Sequence, residues 1–126
     1  MSILSDQAQR FREIYSQRSG IFTVPGTALQ LKLIREEFTE LAEALSLATG
    51  DISNKRAREE ALKELADLVF VCYQLAAASG WDLDEALERV YQSNLSKLVD
   101  GKPLKREDGK VLKGPNYQPP SLIDLV

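Results

Sequence analysis

Two pairs of acidic residues in this chain have the spacing that places both carboxylates on one side of a helix. The first pair is Glu37 and Glu40 and the second is Glu64 and Asp67, and the members of each pair are three positions apart. Residues i and i+3 of an α-helix share a face, so each pair presents two carboxylates in one direction. Carboxylate oxygens are the ligands that hard divalent cations such as Mg²⁺ and Mn²⁺ prefer. The spacing therefore predicts a metal site, provided that the two pairs meet.

The segment between the two pairs predicts that they do meet. Residues 49–54 combine a helix-stopping glycine with the helix-starting residue types Asp, Ser and Asn. If this segment joins two antiparallel helices, residues at the same height have numbers that average about 52. Glu40 then lies level with Glu64, and Glu37 with Asp67. Four carboxylates at one height repel one another unless a cation compensates their charge.

Asp67 favours metal binding over the alternative of an ordinary solvated face. Glutamates clustered on helices usually face water, but Asp67 lies in the run 65–72, which is otherwise apolar. Acids are rarely buried without a partner, so we expect a buried Asp67 that binds a ligand. Glu36 adjoins the first pair but lies about 100° round the helix from Glu37. It is the candidate general base for an attacking water, and a solvated surface residue is the alternative.

Composition and charge limit the class of protein. The 126 residues are expected to form one domain, 1–126, with a helical core over about 4–99 and a turn-rich tail over 100–126. The chain has a net charge of −3, which argues against general nucleic-acid binding. Residues 94–126 nevertheless carry 6 basic and 4 acidic residues, so a basic tail follows an acidic body. That pairing suits a metal-bound phosphate substrate.

The absence of histidine excludes Ser-His-Asp and Cys-His catalysis and histidine-ligated zinc. The single cysteine, Cys72, lies in an apolar run and is expected to be a core residue rather than a nucleophile. No disulfide can form within the chain, no apolar stretch reaches about 20 residues, and no signal-peptide pattern opens the sequence. These features predict a cytoplasmic protein with no membrane association.

Apolar periodicity and capping residues predict an all-α fold. The expected helices span about 4–17, 28–49, 54–79 and 82–99, with Thr27 and Asp82 as N-cap candidates and Gly80 ending the third helix. Arg12 of the first helix is expected to be solvated. The second and third helices are apolar on more than one side and so need several neighbours. The two Asp-Gly-Lys turns of the tail predict a short hairpin or an ordered loop.

The four acids carry a resemblance to a known superfamily. Glu37-x-x-Glu40 followed by Glu64-x-x-Asp67 resembles the paired signature of the all-α nucleoside triphosphate pyrophosphohydrolases. That superfamily includes MazG, the dimeric dUTPases, the dCTP pyrophosphatases and phosphoribosyl-ATP pyrophosphohydrolase. The resemblance covers about residues 27–98, and the tail from Asn94 looks like the ending of short single-domain MazG-like members.

The resemblance implies an antiparallel helical bundle completed by a second copy of the chain, as a homodimer or homotetramer. It implies Mg²⁺-dependent hydrolysis of a (deoxy)nucleoside triphosphate to the monophosphate and pyrophosphate, with the four acids as metal ligands. Under this interpretation the substrate contacts are Asn94, Lys97, Lys113 and Tyr117. Residue types alone would make Asn94 and Lys97 ordinary surface residues. Two alternatives stay open: a phosphoribosyl-ATP pyrophosphohydrolase with the same site, and a non-catalytic helical module for oligomerisation or partner binding.

Overall fold

The computed structural model describes residues 2–126 and divides them into two compact units. The first unit ends at Trp81 and contains α1 (Ile3–Ile14), α2 (Val24–Gly50) and α3 (Lys55–Ser79). The second, Asp82–Val126, contains α4 (Leu83–Leu95), β1 (Leu104–Lys105), β2 (Val111–Leu112) and a 3-10 helix, Ile123–Leu125. The predicted all-α class with a non-helical C-terminal tail is confirmed. The assignment of the whole chain to one domain stays a prediction.

Helix α2 begins one turn earlier than its sequence predicts. Its N-cap is Thr23, whose hydroxyl accepts a hydrogen bond from the backbone N–H of Gly26 at 3.1 Å. The prediction of Thr27 as the cap is therefore wrong. Pro25 does not delay the helix, because the first turn of a helix needs no N–H donor and proline already has a helical φ. The extra turn lengthens α2 at the end that faces the 15–23 loop.

Helices α2 and α3 form the hairpin that the sequence predicts. Helix α2 ends at Gly50, and Asn54 caps α3 by accepting a hydrogen bond from the N–H of Ala57 at 3.1 Å. Ala44, Ala48 and Ala61 form the buried cluster between the two helices. Small side chains let the helix backbones approach closely along this seam. The pairing of these alanines has the same register as the antiparallel arrangement inferred from the acids.

Helix α1 packs across α3 and holds a buried arginine. The ring of Phe11 meets that of Phe70 edge to face, with 5.2 Å between centroids. Arg12 is only 6% exposed, so the expectation that it is solvated is wrong. Its guanidinium donates to the backbone carbonyl of Arg18 and to Oε1 of Gln74, at 2.9 and 3.2 Å. Hydrogen bonds to Arg18 and to Gln74, which is 62 residues away in sequence, stabilise the buried guanidinium.

The lone cysteine has the surroundings of a packing residue. Cys72 is half-buried on α3, and burial raises the pKa of its thiol. A raised pKa disfavours the thiolate, which is the nucleophilic form. The expectation of a structural cysteine agrees with this environment.

In the second unit, α4 is shorter than predicted and the tail forms a hairpin. Asp82 caps α4 as expected, accepting from the N–H of Glu85 at 3.1 Å, but the helix ends at Leu95 rather than near Val99. Val99 instead forms an isolated bridge with Lys102. Strands β1 and β2 then pair antiparallel. Arg89 of α4 donates hydrogen bonds to both carboxylate oxygens of Asp124, at 2.6 and 2.9 Å. These bonds attach the C-terminal 3-10 helix to α4.

Large apolar side chains remain on the surface of the isolated chain. Those on α2 and α3 that are exposed include Leu29, Leu31, Phe38, Leu45, Leu47, Leu62, Leu65 and Val69. None of the large side chains described is fully buried. The prediction of helices that are apolar on more than one side is consistent with these exposures. Within residues 2–126, no helix is both long enough and apolar enough to cross a membrane.

Candidate functional site

Three of the four predicted acids converge between α2 and α3. Each of Glu37, Glu40 and Glu64 offers one carboxylate oxygen, and these oxygens all lie within 4.8 Å of one another. Glu37 and Glu40 come together through their i, i+3 spacing, and the hairpin brings Glu64 to the same height. The antiparallel register derived from the sequence therefore places these side chains correctly.

Burial within the cluster increases from Glu40 through Glu37 to Glu64. Glu64 has a side chain that is 8% exposed, Glu37 is half-buried and Glu40 is exposed. The pKa of Glu40 is raised above its ordinary value, first by its side-chain hydrogen bond with Glu64 and then by the negative charge of Glu37. A shared proton is one way in which close carboxylates reduce their mutual repulsion. A bound cation is the other.

The hydrogen bonding of the cluster fits a hard divalent cation. One carboxylate oxygen of Glu37 and one of Glu64 are buried and have no hydrogen-bond partner within residues 2–126. An unpaired buried acceptor is costly, and in native proteins it usually has a water, an ion or a ligand as its partner. Carboxylate oxygens alone, with no histidine or thiol nearby, are the donor set of Mg²⁺ or Mn²⁺. The residues present therefore suit such an ion.

Asp67 lies beside the cluster in a different environment from the one predicted. Its side chain is 39% exposed rather than buried, so the argument from a buried Asp67 is wrong and applies to Glu64 instead. The ammonium of Lys63 lies 2.9 Å from Asp67 and 3.3 Å from Glu64. These two carboxylates raise the pKa of Lys63, the hydrogen bond with Asp67 contributing most. Sequence reasoning missed Lys63, although its i, i+4 spacing from Asp67 was a usable signal.

Glu36 is exposed on α2 and lines a shallow depression next to the cluster. Glu40 belongs both to the cluster and to the walls of the depression. The other lining residues are Lys32, Arg35, Thr39 and Glu43. A carboxylate at this position is open to water and lies near the cluster, as the role of a general base requires.

The predicted substrate residues of the second unit form a cationic cluster around one aromatic ring. The ammonium groups of Lys97 and Lys113 lie 5.9 and 4.8 Å from the ring centroid of Tyr117. Asn94 is exposed on α4, one turn before Lys97. Gly114, which the sequence analysis did not single out, makes the cluster possible, because a Cβ there would lie 2.7 Å from the carbonyl oxygen of Lys97. Only glycine lets the tail approach the end of α4 this closely.

Comparison with known proteins identifies the family. None of the curated proteins matches the chain. The sequence profile of phosphoribosyl-ATP pyrophosphohydrolase matches residues 4–94, a span that includes all four acids of the candidate site. That family is part of the MazG-like all-α superfamily of nucleoside triphosphate pyrophosphohydrolases, and its members hydrolyse nucleotides to release pyrophosphate. The chain belongs to the phosphoribosyl-ATP pyrophosphohydrolase family.

Proposed function

We propose that this protein hydrolyses a (deoxy)nucleoside triphosphate to the monophosphate and pyrophosphate, with Mg²⁺ as the cofactor. One observation carries the proposal: three carboxylates converge between α2 and α3, and two of them hold buried oxygens without partners. Divalent-metal dependence is typical of the family. Lys63 supplies only one positive charge to the carboxylates of the cluster and Asp67, so they have a physical reason to bind such an ion.

In this proposal Glu37, Glu40 and Glu64 hold the cation, and Asp67 is the fourth ligand. The ion supplies a positive charge for the phosphate oxygens and lowers the pKa of an attacking water. Glu36 accepts the proton of that water, because it is an exposed carboxylate next to the cluster.

The second unit supplies phosphate contacts in the same proposal. Lys97 and Lys113 face one Tyr117 ring, so the aromatic face fixes two positive charges near each other. Ammonium groups bind phosphate oxygens as point charges, and Asn94 adds a neutral hydrogen-bonding group one turn away on α4. Together these residues suit the triphosphate rather than the base.

A homodimer or homotetramer is part of the proposal. The exposed leucines of α2 and α3 form apolar surface of the kind that marks a protein interface. A second copy of the chain would bury this surface and complete the helical bundle. Size-exclusion chromatography with light scattering measures the stoichiometry directly.

Phosphoribosyl-ATP is the second candidate substrate, because the matching profile is that of the enzyme that acts on it. Both candidates place the scissile bond between phosphates of a nucleotide, so the same acidic site serves either. The two substrates differ because phosphoribosyl-ATP carries an additional phosphoribosyl group on its base. The pocket around the base must accommodate that group if phosphoribosyl-ATP is the substrate.

The deciding experiment measures product formation from the canonical (d)NTPs, modified (d)NTPs and phosphoribosyl-ATP, with Mg²⁺ and with EDTA. We expect pyrophosphate and the monophosphate in the presence of Mg²⁺, and no product with EDTA. The substrate with the highest kcat/KM decides between the two candidates. A folded protein that leaves every substrate intact overturns the proposal in favour of a binding module. Release of inorganic phosphate and a diphosphate would also overturn it.

A further inference from the structure

The ammonium of Lys63 lies between two carboxylates of the candidate site. It is 2.9 Å from Oδ2 of Asp67 and 3.3 Å from Oε1 of Glu64. Asp67 follows Lys63 by one turn of α3, which is the spacing of an ordinary ion pair on a helix surface. Such a pair involves one acid, whereas Lys63 also contacts Glu64, whose side chain is only 8% exposed. Lys63 therefore bridges two carboxylates as a bound cation would.

The carboxylate oxygens of the site divide into two sets. Lys63 contacts Oε1 of Glu64, whereas Oε2 of the same residue is buried and has no hydrogen-bond partner within residues 2–126. One oxygen of Glu37 is likewise buried and without a partner, and Glu40 completes this cluster. Asp67 is not a member of the cluster, and its Oδ2 pairs with Lys63 instead. Glu64 thus has one oxygen on the ammonium and another that is available to a metal ion.

Shared carboxylates of this kind are typical of sites with two cations. In two-metal sites that transfer phosphoryl groups, the pair of ions stabilises both the attacking and the leaving oxygen. A lysine ammonium is a compact point charge that binds the same oxygen ligands through hydrogen bonds. Among the described residues, Lys63 is the only basic residue that forms an ion pair with the four acids of the site. It is therefore the residue of this chain that can supply the second positive charge.

The ammonium of Lys63 also has capacity for a further ligand. It carries three N–H groups, and its contacts with Glu64 and Asp67 account for two of them. No third acceptor within residues 2–126 contacts it, and its side chain is 58% exposed. The remaining N–H is thus accessible from solvent. Phosphate oxygens are suitable acceptors for it, because ammonium groups bind phosphate through charge-assisted hydrogen bonds.

We propose that Lys63 takes the place of a second cation at this site, and that its ammonium binds a phosphate oxygen of the substrate beside a single divalent ion. The inference rests on the proposed function for the identity of the substrate. In this arrangement Glu64 and Asp67 each give one oxygen to Lys63 and keep the other for the metal ion. The chain then needs one divalent ion per site rather than two.

The first test counts metal ions and does not depend on hydrolysis. Mn²⁺ is titrated calorimetrically into the wild type, Lys63→Met and Lys63→Arg. We expect one tightly bound Mn²⁺ per chain in the wild type and in Lys63→Arg, which keeps the charge. Lys63→Met is expected to bind two, because the carboxylate oxygens released by the ammonium accept a second ion. Two ions per chain in the wild type, or one in Lys63→Met, would overturn the inference.

The matched control for this count is Lys55→Met. Lys55 is exposed in the first turn of the same helix, so the variant removes the same charge away from the acids. It is expected to bind one Mn²⁺ per chain, as the wild type does. A second ion in Lys55→Met as well would assign the effect to net charge and would overturn the inference.

The second test varies free Mg²⁺ at a fixed concentration of the Mg²⁺ complex of the preferred nucleotide. At the free Mg²⁺ that just saturates the wild type, we expect kcat/KM of Lys63→Met to be lower by at least about tenfold, as for loss of a charged hydrogen bond. Further Mg²⁺ is expected to restore part of this loss, because a second ion then fills the position of the ammonium. An unchanged rate, or a rate lowered equally at every Mg²⁺ concentration, would overturn the inference.

These outcomes separate the inference from the proposed function. If the wild type hydrolyses a nucleotide and Lys63→Met keeps the wild-type metal count and rate, the inference fails and the proposed function stands. If no nucleotide is hydrolysed, the affinity for inorganic tripolyphosphate replaces the rate as the measurement at the same Mg²⁺ concentration. A changed metal count with at least about tenfold weaker tripolyphosphate binding in Lys63→Met then supports the inference while the proposed function fails. Equal affinity for tripolyphosphate would overturn the inference.

Discussion

Glu37 on α2 and Glu64 on α3 each hold one buried carboxylate oxygen that lacks a hydrogen-bond partner within residues 2–126. The two residues belong to the same cluster, and their ligand atoms lie within 4.8 Å of each other. Each of the two helices therefore places one unpartnered, buried carboxylate oxygen at the same height of the hairpin. The energetic cost of leaving these two buried carboxylate oxygens without hydrogen-bond partners is the reason to expect a ligand there.

Replacing Glu64 tests whether its carboxylate acts in catalysis or only stabilises the fold. Glu64→Gln removes a charge from the most buried position of the cluster, so we expect the thermal midpoint without metal to be unchanged or higher. The expected loss of kcat is at least about 100-fold, because a direct metal ligand contributes more than its supporting residues do. Pyrophosphate release and thermal unfolding with and without Mg²⁺ measure the two effects. The variant should also lose the stabilisation that Mg²⁺ gives the wild type.

The control for this prediction is Glu60→Gln. Glu60 is exposed and precedes Glu64 by one turn of α3, so the same chemical change is made outside the cluster. It is expected to keep both activity and the response to Mg²⁺. A Glu64→Gln protein that remains fully active would show that Glu64 is not needed for catalysis and would overturn the assignment of the catalytic metal to this cluster.

Lys63 is expected to compete with the proposed cation for the carboxylates of the site. Its ammonium lies 2.9 Å from Asp67 and 3.3 Å from Glu64. Lys63→Met removes the competing charge, so we expect Mn²⁺ to bind several-fold more tightly in a calorimetric titration. Lys55→Met removes the same charge from the first turn of α3 and controls for long-range electrostatics. Weaker binding in Lys63→Met than in the control would mean that Lys63 holds Asp67 in position for the metal.

How far the sequence predicts this site depends on the range of the interactions involved. The capping of α3 by Asn54, the turn after Gly50 and the i, i+3 pairing of the acids follow from local backbone geometry, and the structure agrees with them. The register of the hairpin follows from where its turn lies. Local rules therefore suffice for the part of the site on α2 and α3.

The remaining features depend on contacts between distant parts of the chain. Arg12 is buried because Gln74, 62 residues away, accepts a hydrogen bond from it, and no local pattern marks that pair. Asp67 is half-exposed although its neighbours in sequence are apolar, because several of those neighbours are themselves exposed in the isolated chain. An apolar run predicts burial only if the surface it forms is covered.

Tyr117 is expected to position two lysines rather than to contact the base. Tyr117→Phe keeps the ring face that Lys97 and Lys113 share, so its KM should remain close to that of the wild type. Tyr117→Leu removes the ring, and we expect KM to rise about two- to fivefold, in line with cation–π energies at exposed sites. Steady-state kinetics on both variants tests this. If Tyr117→Phe is as defective as Tyr117→Leu, the hydroxyl group is the functional part of the side chain.

The ion pair between Arg89 and Asp124 makes the attachment of the C-terminus sensitive to acid. The pKa of Asp124 is lowered, chiefly by the side-chain hydrogen bond from Arg89. A carboxyl whose pKa is lower in the folded state stabilises that state above its unfolded pKa of about 3.9, and the contribution is lost as the pH falls through the lower folded value. We therefore expect the 3-10 helix of the wild type to detach as the pH falls through this range, whereas in Asp124→Asn it is already less firmly attached at pH 7 and lacks this acid transition. NMR of the Leu125 methyl groups between pH 7 and 2 measures this, and identical curves for the two proteins would contradict it.

Gly80 is expected to be the least replaceable glycine of the first unit. It caps α3 with a φ of 75°, and a Cβ at this position would lie 2.9 Å from the carbonyl oxygen of Gly20. Gly80→Ala therefore adds a backbone clash to the cost of a left-handed conformation, which is about 1–2 kcal/mol for a residue with a Cβ. We expect the free energy of unfolding, measured by urea denaturation, to fall by more than this amount.

Gly20→Ala provides the matched control, because Gly20 has the same φ of 75° and a Cβ there would meet nothing within 4 Å. The difference between the two variants in the free energy of unfolding measures the cost of the clash alone, because both share the conformational strain. Equal losses of stability in the two variants would contradict this prediction, because the loop would then yield freely at this contact.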